Sequence, residues 1–255
     1  MKFRNCNFFI CLLLLIFICP IKAYCLESIY IKLVNKFKIA VLKGDKDEIA
    51  KFIIYPLSRS YPIPSIDTSE DFIKRFEDIF DDKLIRLIND SDIHEHWDAM
   101  GWRGIMLHNG DLWMDYDGKI IGINYQSETE KALKNKIIAA SKKKLHKSIR
   151  EFSDPVLDWK TKTLRIRIDK IDMNKYRYVS WPKDKPSNTE PDLVLDNGEC
   201  IPEGNGGNEY YIFNLGNYTY KVYVFVIGVD ILGSVDVLKN NKLLFSEDFI
   251  EAMNK

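Results

Sequence analysis

The chain has 255 residues, 46% of them apolar and 29% charged, with 37 basic residues balanced by 37 acidic ones. That apolar content can fill a core, which excludes a disordered chain, and the length suits one large domain or two small ones. The balanced charge offers no basic field of the kind that draws nucleic acid or an anionic membrane surface.

Residues 1–23 stand apart. Lys2 and Arg4 precede the apolar run Phe8 to Ile18, which is too short to span a bilayer comfortably, and Pro20 and the small residue Ala23 follow. This pattern predicts a secretory signal peptide cut after Ala23. The competing fates are a retained N-terminal anchor, since Ile21 is a poor residue three positions before the cut, and a lipid on Cys25. Lys22-Ala23-Tyr24 lacks the small residue normally wanted just before a lipidated cysteine. Removal of 1–23 leaves 34 basic residues against 37 acidic, a formal charge of −3, and no stable membrane span. Of five cysteines it leaves Cys25 and Cys200, for which an exported chain predicts one disulfide, with two free thiols as the alternative.

From Glu27 to Tyr55, Ile29, Leu33, Phe37, Ala40 and Val41 recur at helical spacing. Gly44-Asp45 breaks the pattern, and Asp45 is placed to cap a second short helix through Ile49 and Phe52. Pro56, Pro62 and Pro64 then force an extended stretch. Ser69 is read as the cap of a helix of about a dozen residues bearing Phe72, Ile73, Phe76, Ile79 and Phe80, and a further helical turn runs from Lys83 to Ile88.

After the polar segment Asn89 to Met100, the stretch Gly101 to Tyr125 carries two hairpin signals, Asn109-Gly110 and Asp117-Gly118, and reads as a three-stranded antiparallel meander. In its middle strand Leu112, Met114 and Tyr116 face one way and Asp111, Trp113 and Asp115 the other. Ser127 to Phe152 is basic and helix-prone, a solvated face by composition. Asp154-Pro155 reads as a boundary, beyond which short strands are predicted at 163–171, 176–180, 210–213, 218–228, 235–238 and 242–245, with loops at 182–191 and 202–208 and a helical tail from Glu247. The expected fold is therefore α+β. Its parts are a signal peptide at 1–23, helices packed on an antiparallel meander at 24–153, and a small all-β sandwich or open barrel at 154–255.

Chemistry is less legible. Asp92-Ile93-His94-Glu95-His96 would aim His94 and His96 to one side if extended, a possible metal site, yet only His108 and His146 remain as further imidazoles. The meander offers an aromatic and carboxylate face made of Trp97, Trp102, Arg103, Asp111, Trp113 and Asp115, suited to binding a ligand or partner. Asp98, Asp111, Asp115 and Asp117 are candidates for a glycosidase-like carboxylate pair. No nucleophile elbow, phosphate loop, dinucleotide fingerprint or zinc-protease helix motif occurs, and Gly204-Asn205-Gly206-Gly207-Asn208 lacks the lysine and helix of a phosphate site. No cofactor is expected.

The helical pair ending at Tyr55-Pro56-Leu57, the helix near Ser69, and strands carrying Gly101-Trp102-Arg103-Gly104, Asp111-Leu112-Trp113 and Ile123-Asn124-Tyr125 resemble exported bacterial proteins of uncharacterised function. Their architecture is similar to the cone-shaped α+β fold of the nuclear transport factor 2-like superfamily. The resemblance covers about residues 27–130, implies a fold shared by enzymes, carriers and binding modules, and carries over no functional residue. The expectation is an exported, non-catalytic binding protein, periplasmic or secreted, with a protein or glycan partner in the cell envelope. One version is an inhibitor or immunity protein for a secreted enzyme, and the alternative is a glycan hydrolase using the meander carboxylates.

Overall fold

The structure, a computed structural model, describes residues 26–204, 206–226 and 231–253. Residues 1–23, where the signal peptide is expected, and Cys25 lie outside the described residues.

The first helix, α1 (Ser28–Lys43), ends where Gly44 takes the left-handed conformation at φ 65°, and its N–H closes back on the last turn. Asp45 then caps α2 (Lys46–Phe52), its Oδ1 accepting from Glu48 N at 3.0 Å. The expected dozen-residue helix is two pieces, α3 (Ser69–Lys74) and α4 (Phe76–Ile79), and its cap is Thr68 rather than Ser69. On its buried side Phe76 stacks on Phe80, and Phe72 meets both rings edge to face. Asp81 caps α5 (Asp82–Asn89), and its carboxylate also accepts from Tyr125 Oη at 2.9 Å.

The polar segment is not extended: it forms a single helical turn, α6 (Ile93–His96), and then a strand, β1 (Trp97–Ala99). With β2 (Ile105–Leu107), β3 (Leu112–Met114) and β4 (Ile120–Ile123) this strand makes a four-stranded antiparallel sheet in chain order, one strand more than the meander predicted. Leu112 and Met114 face the core and Trp113 faces out, as the alternation requires. The inward faces of the sheet and the helices α1 to α5 share one buried cluster.

A long helix, α7 (Glu128–Lys144), follows, capped by Ser127 Oγ accepting from Glu130 N at 3.0 Å. Beyond it lies a nine-stranded antiparallel sheet that curls into a half-barrel. Its strands are β5 (Asp154–Lys160), β6 (Leu164–Asp172), β7 (Lys175–Pro182), β8 (Leu193–Glu203), β9 (Asn208–Leu215), β10 (Tyr218–Val224), β11 (Gly233–Lys239), β12 (Lys242–Asp248) and β13 (Glu251–Ala252). Each of β5 to β12 pairs with its neighbour in sequence. The helical tail expected from Glu247 is strand instead: β12 lies on one edge of the sheet and β13, two residues later, on the other, pairing with β5. Ile250 N donates to Lys160 O and Phe249 N to Gly233 O, so one continuous segment ties both edges together. Non-local pairing has overridden the local preference of a charged tail.

The sheet is buried on both faces along β5 to β7. Leu157, Ile166, Ile168 and Tyr178 face the inside of the curl, where Phe213, Val222 and Phe249 pack. On the other face Val179 and Trp181 pack under Ile138 of the long helix and Leu145, Ile149 and Phe152 after it. That second face also holds charge. Asp158, Arg167, Asp169 and Arg177 are all buried beneath the helix and the segment that follows it.

Among the described residues Cys200 is a free thiol, not half of a disulfide. Its Sγ donates to Glu209 Oε2 at 3.2 Å, and burial, followed by the Glu209 hydrogen bond, pushes the thiol up to about 11. At neutral pH it is therefore protonated and a poor nucleophile.

Candidate functional site

The aromatic and carboxylate face divides when its residues are located. Trp97 is only 1% exposed and belongs to the core, its Nε1 donating to Ser91 Oγ at 2.9 Å, so it leaves the face altogether. Asp115 is spent on its own turn, its Oδ1 accepting from Asp117 N at 3.0 Å and Lys119 N at 2.7 Å. Asp111 sits at the start of β3, where its backbone oxygen accepts from Asn124 N and Tyr125 N.

What remains together is a cationic stack. Trp113 projects from the outer face of the small sheet opposite Gly122, and the Arg103 guanidinium lies over its ring at 5.5 Å. Trp102, 63% exposed, follows from the neighbouring 3-10 turn at Gly101–Arg103. Asp98 lies two strands from Trp113, opposite Met106, and so roughly 9–10 Å away along the sheet. The four carboxylates of the hydrolase reading thus include one held in a turn and one displaced across two strand spacings.

His94 and His96 sit two residues apart on the α6 turn, not on a strand, so their side chains do not share a side. His96 Nδ1 accepts from Asp92 N at 2.8 Å, which leaves the proton of the neutral ring on Nε2 and no lone pair there for a metal. Among the described residues no three histidine, cysteine or carboxylate side chains are grouped to hold an ion.

A further concavity lies where no single stretch of sequence points to it. Tyr61 and Pro64 from the proline-rich loop, Ile137 and Ala140 from α7, Pro155 from β5 and Met253 near the chain end line a groove of about 440 Å³. A second hollow of about 590 Å³ shares Pro64 and Ile137 with it and continues along the helix past Leu133 to Asp67, Asp71 and Arg75. Leu133, Ile137, Ala140 and Lys144 recur at helical spacing, so one stripe of α7 forms a wall of the groove, with Glu130 buried one turn beyond its end and Ile138 turned toward the half-barrel.

The opposite wall is held by an ion pair. Arg59 and Glu130, each with 1% of its side chain exposed, pair through both guanidinium nitrogens that face the carboxylate. The guanidinium also donates to Ile123 O and to Tyr125 O at 2.9 Å. It thereby fastens the loop bearing Tyr61 and Pro64 to the end of β4 and the first turn of α7. Both Tyr55-Pro56 and Tyr61-Pro62 are cis in this loop.

The sequence reading missed this groove. The one signal available was the apolar stripe Leu133, Ile137 and Ala140 within a helix otherwise read as solvated. A comparison with known proteins finds no matching family model, no similar curated protein and no similar solved structure.

Proposed function

We propose that the protein is an exported, non-catalytic binding protein of the cell envelope that takes a protein partner in the groove along α7. The observation that carries this reading is the make-up of the groove: its walls come from the proline loop, α7, β5 and the chain end, so the helical part and the half-barrel present one joint surface. Its middle is apolar, with prolines and aliphatic side chains, and its rim carries Lys144 at one end and Arg75, Asp67 and Asp71 at the other. An apolar centre inside a charged rim is the make-up of a protein-binding surface. An inhibitor or immunity role for a secreted enzyme fits a site that binds without assembling reactive groups. The likeness of residues 27–130 to the nuclear transport factor 2-like superfamily is part of the same proposal and rests on the order of elements.

A photoreactive amino acid at Ala140, in the groove, is expected to give an adduct of one defined mass in an envelope extract. The same probe at Ala132, exposed on the same helix outside the groove, is expected to give none. The Ala140 adduct should vanish on Ile137→Arg. Equal labelling from both positions, or labelling that survives that substitution, would refute a groove-borne partner. Export has its own readout. N-terminal sequencing of the chain recovered from the producing cell should begin at Tyr24, and a chain that retains residues 1–23 removes the export half of the proposal.

A further inference from the structure

Away from the groove, a shallow cleft of about 420 Å³ lies between α5 and the turn that follows β2, lined among others by Lys83, Arg86, Asp90, His96 and His108. We propose that this cleft binds an oxyanion, either a phosphate group or a carboxylate carried by a small molecule or partner.

Unpaired charge is the first part of the argument. Lys83 and Arg86 are both exposed, and neither has an ion pair or a side-chain hydrogen bond among the described residues, although the Asp90 carboxylate lines the same cleft. Standing three apart on α5, they share a face of the helix. One carboxylate, Asp90, shares the lining with these two cations, leaving them in excess; it also lies near Lys38, whose pKa burial lowers against the opposing charges of Asp92 and then Asp90.

Proton placement is the second part. Because Asp92 N–H occupies Nδ1, the neutral His96 ring carries its proton on Nε2, and the protonated ring carries one there too. His96 is therefore a donor at Nε2 in either state. His108 is held beside it, with ring centroids 4.6 Å apart, by a backbone at φ 50° and by its N–H donating to His96 O at 2.7 Å. A non-glycine residue in that region is uncommon and here sets the second imidazole against the first. Two cations and a fixed N–H donor repel a metal ion and suit an anion, and charge-assisted hydrogen bonds of this kind are the strong ones.

The test is a histidine imidazole NMR titration of the full chain with inorganic phosphate, acetate and chloride at matched low ionic strength. Saturable shifts of the His96 and His108 signals are expected with phosphate or acetate. The tighter of the two identifies a phosphate or a carboxylate as the natural group. Lys83→Gln with Arg86→Gln, two exposed and unpaired positions, should weaken that binding at least roughly tenfold, as loss of charge-assisted bonds requires. Chloride producing the same shifts, no saturable shift with either oxyanion, or unchanged binding in the double variant would each overturn the assignment.

Discussion

Glu130→Ala is expected to destabilise the protein by about 3–5 kcal/mol, because it leaves the Arg59 guanidinium buried with no countercharge. Each side chain is only 1% exposed, so water cannot take over the lost partner. The pair itself is a weaker source of stability than this figure suggests, since desolvation offsets much of the attraction. A double variant separates the two effects. Arg59→Met with Glu130→Leu removes both charges together and should recover most of the loss. Urea unfolding followed by tryptophan fluorescence reads both, with the midpoint falling in the single variant and the slope unchanged. A single-variant loss under about 1 kcal/mol would mean that Arg59 reaches water or another acceptor. The result bears on function as well, since Arg59 fixes the loop that carries Tyr61 and Pro64 into the groove. Glu130→Ala should therefore weaken partner capture at Ala140 even at temperatures where the fold persists.

How much of this was legible in the sequence depends on how local the cause is. Gly44-Asp45 announced both the end of α1 and the cap of α2, because a left-handed glycine and a side-chain acceptor act within four residues. The hairpin signals at Asn109-Gly110 and Asp117-Gly118 placed β2 to β4 for the same reason. The α+β class followed from these local signals and from the short strands beyond residue 154.

The failures are equally physical. Trp97, met in a run of charged residues, reads as a surface indole, and only its position on an inward-facing strand beside Leu107 makes it core. Strand β5 was hidden by Pro155, and β13 by a charged tail whose partner lies some ninety residues earlier in the chain. The groove needs four separated stretches to meet, which no pattern within one window can report. Arg165-Ile166-Arg167-Ile168-Asp169 reads as a strand with one dry face and one wet one, yet its charged face lies under the long helix and the segment that follows it. Alternation identifies two faces of a strand but does not say that the polar one meets water.

That buried charged face is the site of the second large effect. Asp169→Ala is expected to cost about 3–5 kcal/mol, by removing the carboxylate that two buried guanidiniums share. Asp169 is fully buried. Arg167 Nε donates to its Oδ2 at 3.0 Å and Arg177 Nη2 to the same oxygen at 3.3 Å. Arg177 Nη2 also donates to Ile149 O at 2.7 Å, so the cluster reaches from the sheet to the turn that follows α7. Asp158 does not replace the lost charge. It is already bidentate with Arg165, at 2.8 and 2.7 Å, and stands 3.6 Å from Arg167. The cluster is already imperfectly satisfied, with Arg177 Nε lacking an acceptor and Arg167 Nη2 facing Asp169 Oδ1 at 2.6 Å without an aligned hydrogen bond. Removing the carboxylate strands the Arg177 guanidinium, whereas Arg167 keeps Asp158 at 3.6 Å and the unsatisfied Asp169 Oδ1 disappears with the side chain, so the loss belongs toward the lower end of the range. Met173→Ala, on an exposed residue of the turn that follows the same strand, serves as the control and should stay within about 0.5 kcal/mol of the parent. Hydrogen exchange gives the location. Amides of α7 around Ile138 and of β7 around Val179 should lose protection together in Asp169→Ala, because they pack on each other in the apolar cluster beside this charge, where Val179 lies opposite Arg167 across the β6–β7 pair. If protection fell only in β6, the cluster would be stabilising its own strand and not the seam between helix and half-barrel on which the groove depends.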